Sequence, residues 1–332
     1  MSENLSNNLY TKKPLRFNSN GKFRVLMMSD IQETPNSDGT TFEAIAKMLD
    51  ATKPDLVILG GDNCDGHHIH TVDELKKYVG MVARPFEERS IPWAQIWGNH
   101  DHDVKLDEDL HQAEYMSYPH NVSKSAKDIT GQSNFVLPIL ASDSDDVVFN
   151  VWALDSGPIS DAHTKANLDI EKVRAVEHLP NKSHPNQSIW GLICFDQLMW
   201  YYNSSIEFEK KYNKKIPALL ATHVSLYEAA AVTANPVECN TDGYYPEHFD
   251  LATFNCGLFA ALIQRGDIKA VCSGHSHCNF QCGTYCGVKM CNDGSIGYNC
   301  YGERENKGAR LFDIDENDPE NISTQYVKIA EL

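Results

Sequence analysis

Short apolar runs alternate with amphipathic segments along the chain, and this alternation limits the possible folds more than any other feature. Six runs have strand length, are rich in aliphatic or β-branched residues, and mostly end in polar residues or glycine. They cover residues 24–30, 54–62, 91–101, 147–155, 216–223 and 268–277. Four segments between them space their apolar residues as helices do, and cover 41–52, 73–89, 195–212 and 254–266. Strands that alternate with helices predict an α/β sheet packed between helical layers.

Other segments depart from this alternation. After Gly283, short apolar pieces are separated by turn sequences such as Asn-Asp-Gly at 292–294, a pattern typical of antiparallel hairpins at a sheet edge. The polar stretches 103–134 and 156–190 predict long, irregular surface insertions. Pro85 is expected to kink or end the second helix, and Gly266 to end the fourth. The 332 residues are expected to form a single domain, since α/β domains often exceed the typical length of about 150 residues.

The charge balance excludes several classes of partner. There are 29 Lys and Arg residues against 46 Asp and Glu residues, a formal net charge of −17 at pH 7. Proteins bind phosphate backbones and anionic membrane surfaces through basic residues, so general nucleic-acid or membrane binding is disfavoured. The sequence has no run of about 20 apolar residues and no apolar leader segment. We therefore expect a cytoplasmic protein.

Side chains that commonly bind metals follow five of the six predicted strands. They are Asp30, Asp62, Asn99, His100, His223, His275 and His277. In open α/β sheets, ligands bind beyond the carboxyl ends of the strands. A set of oxygen and imidazole donors without thiolate suits Mn, Fe, Zn or Mg. Two divalent ions that share one carboxylate would use these donors economically, and such a pair can clamp both oxygens of a phosphoryl transfer.

The order of these motifs resembles that of the calcineurin-like metallophosphoesterase superfamily, and most closely its small purple-acid-phosphatase-like branch. In chain order the motifs are Asp30-x-Gln32, Gly61-Asp62-Asn63, Gly98-Asn99-His100-Asp101, His223 and Gly274-His275-Ser276-His277. The resemblance extends over about residues 23–303. It implies an α/β fold in which a β-sandwich of mixed sheets is flanked by α-helices, and hydrolysis of phosphoesters with two divalent metal ions.

The resemblance also implies a role for each motif residue. One metal would be bound by Asp30, Gln32, Asp62 and His277. The other would be bound by Asp62, Asn99, His223 and His275, so that Asp62 bridges the two. His100 would be the catalytic histidine that supports the leaving oxygen, and Asp101 would orient its imidazole. The attacking group would be a hydroxide that bridges the metals.

Two positions depart from the family pattern. Most members have histidine where this chain has Gln32, and an amide oxygen is a weaker ligand than imidazole. The alternative is that Gln32 points away, with water or Glu33 completing the metal shell. True purple acid phosphatases have tyrosine where this chain has Asp65, so we expect a colourless enzyme.

Further polar residues lie close to the motifs. Asn63, His67 and His68 are candidates for binding the substrate phosphate, although a solvated loop is the alternative for the two histidines. His102 and Asp103 are likewise expected to lie in a solvated loop.

The cysteines and tryptophans give structural predictions. Cys272, Cys278, Cys282, Cys286 and Cys291 lack the paired spacing of zinc knuckles, which favours free thiols over a zinc site and leaves a disulfide in the hairpin region open. The five tryptophans, Trp93, Trp97, Trp152, Trp190 and Trp200, are expected to belong to the core.

The sequence therefore predicts a metal-dependent phosphoester hydrolase that acts on a small phosphoester. The main alternative is a scaffold that keeps the fold but has lost turnover. A nuclease is a third possibility, weakened by the negative charge.

Overall fold

The computed structural model describes residues 14–158, 192–247, 251 and 255–332. Within them the chain forms twelve strands. In chain order these are β1 (Leu15–Arg16), β2 (Lys22–Met28), β3 (Leu56–Gly60), β4 (Trp93–Ile96), β5 (Phe135–Leu140), β6 (Val147–Leu154), β7 (Ala218–Thr222), β8 (Ile268–Ser273), β9 (Cys282–Tyr285), β10 (Val288–Asn292), β11 (Gly308–Asp315) and β12 (Ser323–Lys328). All six strands predicted from the apolar runs are present.

The strands form two mixed sheets. The five-stranded sheet has the order β12-β11-β2-β3-β4, in which β2, β3 and β4 are parallel and β11 is antiparallel to both of its neighbours. The seven-stranded sheet has the order β1-β5-β6-β7-β8-β10-β9, in which β6, β7 and β8 are parallel. Hairpins at 282–292 and 308–328 lie at sheet edges, as the turn-rich tail predicts.

Six α-helices lie in the described residues. They are α1 (Thr40–Thr52), α2 (Val72–Glu87), α3 (Glu108–Met116), α4 (Phe195–Tyr212), α5 (Ala229–Ala234) and α6 (Leu258–Arg265). Helix α2 ends two residues beyond Pro85, and Gly266 ends α6 with a left-handed φ of 67°. No helix in these parts of the chain has both the length and the apolar character needed to cross a bilayer.

The core consists of apolar layers on both faces of each sheet. Between the sheets, Val25, Ile58 and Ile96 of the five-stranded sheet belong to the same buried cluster as Val151 and Leu219 of the other. The outer faces of the two sheets are covered by helices, α1 and α2 on one side and α4 and α6 on the other. The result is the mixed α/β sandwich flanked by helices that the motifs imply. Trp93, Trp97 and Trp152 are buried in it, whereas Trp190 lies outside the described residues.

The polar insertions differ from the prediction where the structure describes them. The stretch 103–134 is not wholly irregular, because it contains α3, whose N-cap Asp107 accepts a hydrogen bond from the Leu110 N–H at 2.9 Å. Most of 156–190 lies outside the described residues. Strand β5, which directly follows the first insertion, was not predicted.

Candidate metal centre

The predicted metal ligands lie where strands of both sheets end. Asp30 and Asp62 lie two residues beyond β2 and β3, and Asn99 lies three residues beyond β4. His223 directly follows β7, and His275 lies two residues beyond β8. Because the carboxyl ends of these strands meet at one edge of the sandwich, residues far apart in sequence converge there.

Four of the seven predicted ligands have a left-handed backbone. The φ angles of Asp30, Gln32, Asp62 and His275 are 56°, 42°, 50° and 69°. Residues with a Cβ avoid this region, and each costs about 1–3 kcal/mol. Hydrogen bonds between the loops hold the strained conformation, since the Asp30 N–H donates to the Gly61 carbonyl at 3.0 Å and the Gln32 N–H to the Asp62 carbonyl at 3.1 Å. Strain concentrated in this way is typical of a functional site.

Glycines before the ligands allow the loops to approach one another. A Cβ on Gly98 would lie 2.2 Å from Asp62 Oδ1, and a Cβ on Gly61 would lie 2.5 Å from His223 Nδ1. Gly61 also has a φ of 97°. A side chain at either position would displace a predicted ligand, which explains why glycine precedes these motifs.

Asp30, Asp62 and His277 form one buried group. Ligand atoms of the three lie within 4.8 Å of one another, and His277 Nε2 is 3.0 Å from Asp30 Oδ1. Burial opposes ionisation of Asp30, but the neighbouring His277 lowers its pKa below the ordinary value overall. An ionised carboxylate beside imidazole is a suitable donor set for a divalent ion.

Asp62 also belongs to a second group, with His223 and His275. The ligand atoms of these three residues again lie within 4.8 Å of one another. His223 Nδ1 is 2.9 Å from the Gly60 carbonyl, which fixes the proton on Nδ1 and turns Nε2 toward Asp62 Oδ2 at 3.2 Å. Burial lowers the pKa of His275 to about 3, so this imidazole is neutral, the form that binds metals. Asp62 is thus the residue that the two groups share.

Asn99 gives an independent sign that the site fits a metal ion. Its residue surface is 1% exposed, and neither amide atom has a hydrogen-bond partner among the described residues. A buried amide without partners costs about 1–3 kcal/mol. A cation that accepts a lone pair from Oδ1 removes part of this cost, so the residues present fit the predicted metal centre.

The structure brings Gln32 to the ligands and directs Glu33 away. Gln32 Nε2 lies 2.9 Å from Asp62 Oδ2 and 3.4 Å from His277 Nε2. Glu33 is buried and accepts hydrogen bonds from Thr41 Oγ1 and Asn299 Nδ2. The alternative in which Glu33 replaces Gln32 in the metal shell is therefore wrong.

His100 lies beside the two groups. Its backbone N–H donates to Asp62 Oδ1 at 2.8 Å, and its ring Nδ1 is 2.8 Å from Asp103 Oδ2. The side chain is 35% exposed. Burial lowers the pKa of His100, but the Asp103 and Asp62 carboxylates outweigh it and raise the pKa to about 9. The result is a half-exposed imidazolium at the mouth of the site.

The orienting role predicted for Asp101 is wrong. Its Oδ2 accepts hydrogen bonds from the Gly98 N–H at 2.8 Å and from the Asn63 backbone and side-chain nitrogens at 3.2 and 3.0 Å. In the 3₁₀ turn 101–103, residues three apart lie on the same side, so Asp103 rather than Asp101 reaches the ring of His100. Asp101 shapes the loop instead.

The three predicted substrate-binding residues occupy different surroundings. Asn63 is buried, and its side chain also donates to the Ile96 carbonyl at 2.7 Å, so a substrate contact for Asn63 is wrong. His67 is exposed, with its ring 6.1 Å from that of His100 and Nδ1 3.0 Å from Asp103 Oδ2. His68 pairs with Asp65 at 2.9 Å instead.

The side chain of His102 is buried, contrary to the solvated loop that the sequence predicts. Its side chain is 5% exposed and lies between two carboxylates, Glu108 at 2.9 Å and Asp155 at 3.2 Å. This contact ties the loop that carries His100 to the end of β6.

The sequence analysis missed two residues near the ligands. Tyr301 is 55% exposed and stacks on His277 with ring centroids 3.9 Å apart. Asp293 is completely buried and accepts a hydrogen bond from Ser29 Oγ at 2.8 Å. Burial and the nearby Asp30 raise the pKa of Asp293 to about 8. Its Asn-Asp-Gly context is typical of an exposed turn and gave no sign of burial.

A comparison with protein families agrees with this geometry. The sequence profile of the family described as "Calcineurin-like phosphoesterase" matches residues 23–279, which is most of the chain. The chain belongs to the calcineurin-like phosphoesterase family. Its sheets, its shared aspartate and its candidate ligand groups are those of a dinuclear metallophosphoesterase type.

Individual relatives place the chain close to the purple acid phosphatases. It is similar to "Probable inactive purple acid phosphatase 29" of Arabidopsis thaliana, with 28% identity over 92% of this chain and 80% of that protein. It is 26% identical to "Probable inactive purple acid phosphatase 14" of the same plant, over 89% of this chain and 75% of the relative. The crystal structure of a dimetal phosphatase from Danio rerio has a similar fold, with a TM-score of 0.55, 14% identity and coverage of 92% of this chain and 99% of that one.

Proposed function

We propose that this protein hydrolyses small phosphoesters at a dinuclear metal centre. The observation that carries the proposal is that two buried groups of ligands share Asp62, while the half-exposed His100 lies against the same carboxylate. One group contains Asp30 and His277, and the other His223 and His275.

The chain's own residues account for most of the proposed chemistry. Bound divalent ions would supply charge neutralisation and an activated water. His100 donates a proton to the leaving oxygen or stabilises its negative charge, and Asp103 holds the imidazole in the charged form. His67 pairs with the same Asp103 oxygen as His100, and from there it would contact the phosphate oxygens of the substrate. Tyr301 borders the site through its stack on His277 and limits the shape of the substrate.

The ligand set also supports a choice among metals. It holds imidazole, carboxylate and amide donors without thiolate, which suits Mn, Fe, Zn or Mg. The weaker amide donor Gln32 favours Mn²⁺ or Mg²⁺ in the site with Asp30 and His277.

An inactive scaffold is the second candidate, because the printed names of the two plant relatives describe them as probably inactive. The two ligand groups that share Asp62 and the ion pair between His100 and Asp103 favour turnover instead. A nuclease is disfavoured by the net charge of −17, and the same charge argues against membrane partners. We also propose a cytoplasmic location, supported by Cys272, Cys282 and Cys291, which are buried and not in disulfides.

Hydrolysis of p-nitrophenyl phosphate and bis-p-nitrophenyl phosphate tests the proposal, with Mn²⁺, Mg²⁺, Zn²⁺ or Fe²⁺ added to the full chain. We expect turnover with at least one metal, and a loss of about 10²–10⁴-fold in His100→Ala with unchanged metal content by plasma emission. His70→Ala, an exposed histidine of the neighbouring loop, is the matched control and should keep full turnover. Background rates with every metal would support the inactive scaffold.

A further inference from the structure

A second cluster of ligand-type side chains lies outside the centre described above. It consists of Cys64 in the loop after β3, Asp101 in the loop after β4, and His111 on α3. These residues are 0%, 1% and 1% exposed, and one ligand atom of each lies within 4.8 Å of the other two. Nothing in the proposed phosphoesterase mechanism uses Cys64 or His111.

The Asp101 carboxylate is held in place mainly through one of its two oxygens. All three N–H donors that hold it, from Gly98 and Asn63, bind Oδ2. The other oxygen, Oδ1, accepts a hydrogen bond from the Cys64 thiol, with Sγ 3.5 Å away. Tetrahedral zinc with its usual bond lengths to sulfur and oxygen places those two ligands about 3.5 Å apart. The observed spacing therefore already suits one ion bound by both.

His111 supplies the missing nitrogen. Neither of its ring nitrogens has a hydrogen-bond partner among the described residues. Its surroundings are aromatic, with the ring centroid of Trp97 at 4.6 Å and that of Tyr115 at 5.5 Å. A buried imidazole left unpaired costs free energy, and binding an ion through one nitrogen recovers part of this cost. The Tyr115 hydroxyl is also buried without a partner in this part of the chain.

We propose that Cys64, Asp101 and His111 bind a zinc ion, with a water held by the Tyr115 hydroxyl as the fourth ligand. The Cys64 S–H bond breaks, its proton passes to solvent, and the sulfur lone pair forms the bond to zinc. One thiolate and one carboxylate neutralise the charge of the ion, which a buried site requires. The ion joins the β3 loop, the β4 loop and α3, and so fixes the segment that carries His100.

Cobalt gives a test that is independent of phosphatase activity. The full chain is produced in minimal medium supplemented with Co²⁺, so that the buried site is loaded as the protein folds. Among the residues assigned to metals, only Cys64 provides sulfur, so a thiolate-to-cobalt charge-transfer band in the near ultraviolet reports this site alone. We expect the band in the wild type. Cys64→Ser should lose the band, and plasma emission should show that it has also lost one metal ion per chain.

Two control variants keep the assignment specific. Cys300→Ser removes a thiol that lies 3.4 Å from the Asp30 carbonyl, and Cys272→Ser removes a buried thiol of β8. Both should keep the band. His111→Gln should weaken or abolish it, and this variant serves if Cys64→Ser does not fold.

The outcomes separate this proposal from the phosphoesterase proposal. A wild type without the band overturns the zinc site, as does a band that persists in Cys64→Ser or disappears in Cys300→Ser. A protein that hydrolyses p-nitrophenyl phosphate but shows no band lacks the zinc site, and its proposed function stands. A protein with the band but without turnover keeps the zinc site and loses the proposed function.

Discussion

Replacing Asp103 by asparagine removes a charge from beside His100 while keeping a hydrogen-bond acceptor of the same shape. In the native protein, Asp103 Oδ2 lies 2.8 Å from His100 Nδ1 and 3.0 Å from His67 Nδ1. The Asp103 side chain is 20% exposed, so solvent screens the contact only in part. We expect Asp103→Asn to leave the imidazole in place and to lower its pKa.

The size of the effect follows from the pKa of His100. Against the opposing effect of burial, Asp103 and Asp62 raise it to about 9, whereas an unperturbed histidine has a pKa of about 6.5. If burial and Asp62 offset each other in the variant and its pKa returns to this ordinary value, the protonated fraction of His100 at pH 8 in the metal-free protein falls from about nine-tenths to about 3%, or about 30-fold. At pH 6 His100 is mostly protonated in both the wild type and the variant, and the protonated fraction decreases only about 1.3-fold. A raised pKa keeps His100 protonated at higher pH. When the pKa falls in the variant, the decrease of kcat on the alkaline side therefore moves to lower pH.

The assay is the pH profile of kcat between about pH 5.5 and 9, since kcat reports groups in the enzyme–substrate complex. Bound cations lower the pKa of His100 in both proteins alike, so the quantity compared is the shift between the two profiles. Asp65→Asn is the matched control, because Asp65 pairs with His68 at 2.9 Å across the same three-residue spacing. An equal decrease of kcat at every pH in Asp103→Asn, or an equal shift of the pH profile in Asp65→Asn, would refute the proposed role of Asp103.

Three further predictions concern the ligands and the loop behind them. Asp62→Ala should remove metal from both sites, because both ligand groups contain this carboxylate, and plasma emission that shows loss at only one site would contradict the bridging role. Gln32→His should strengthen metal retention and shift preference toward zinc or iron, and an unchanged chelator titration would mean that Gln32 is not a ligand. His102→Gln should lower the free energy of unfolding by about 3–5 kcal/mol near pH 6.5, because it leaves Asp155 buried without its cation. Burial lowers the pKa of His102, but Asp155 and Glu108 raise it to about 10, so its stabilising effect is complete below pH 6.5 and is lost as pH rises through 10. Urea unfolding should therefore show that the difference in free energy of unfolding between wild type and variant decreases from pH 6.5 to about pH 10. A difference that increases over this range would contradict the ion pair.

The strands and the ligand motifs were predictable because their signals are local. A buried strand such as β3 needs a short run of aliphatic residues, and the glycine after it permits the sharp turn that presents Asp62. Both features can be identified within ten residues of sequence. The identity of the ligands follows in the same way, since only a few side chains bind hard divalent metals.

Contacts across the loops were not predictable from local sequence. Asp103 meets His67 across 36 residues, and His102 meets Asp155 across 53, so the pairing depends on how separate loops pack. Asp101 and Asp103 are chemically the same residue, and only the 3₁₀ turn decides which of them faces His100.

Burial at the sheet edges was also decided by the tertiary structure. Asn292 and Asp293 have the composition of an exposed turn, yet they lie buried at the end of β10, beside the end of β8, where Asn292 Nδ2 donates to Ser225 Oγ at 3.1 Å. The sequence alone determined which elements form and which side chains can hold a metal, because periodicity and ligand chemistry belong to short segments. The tertiary structure decided which carboxylate pairs with which histidine. A hydrogen bond depends on the distance and direction between two groups, and only the packed loops bring these groups together.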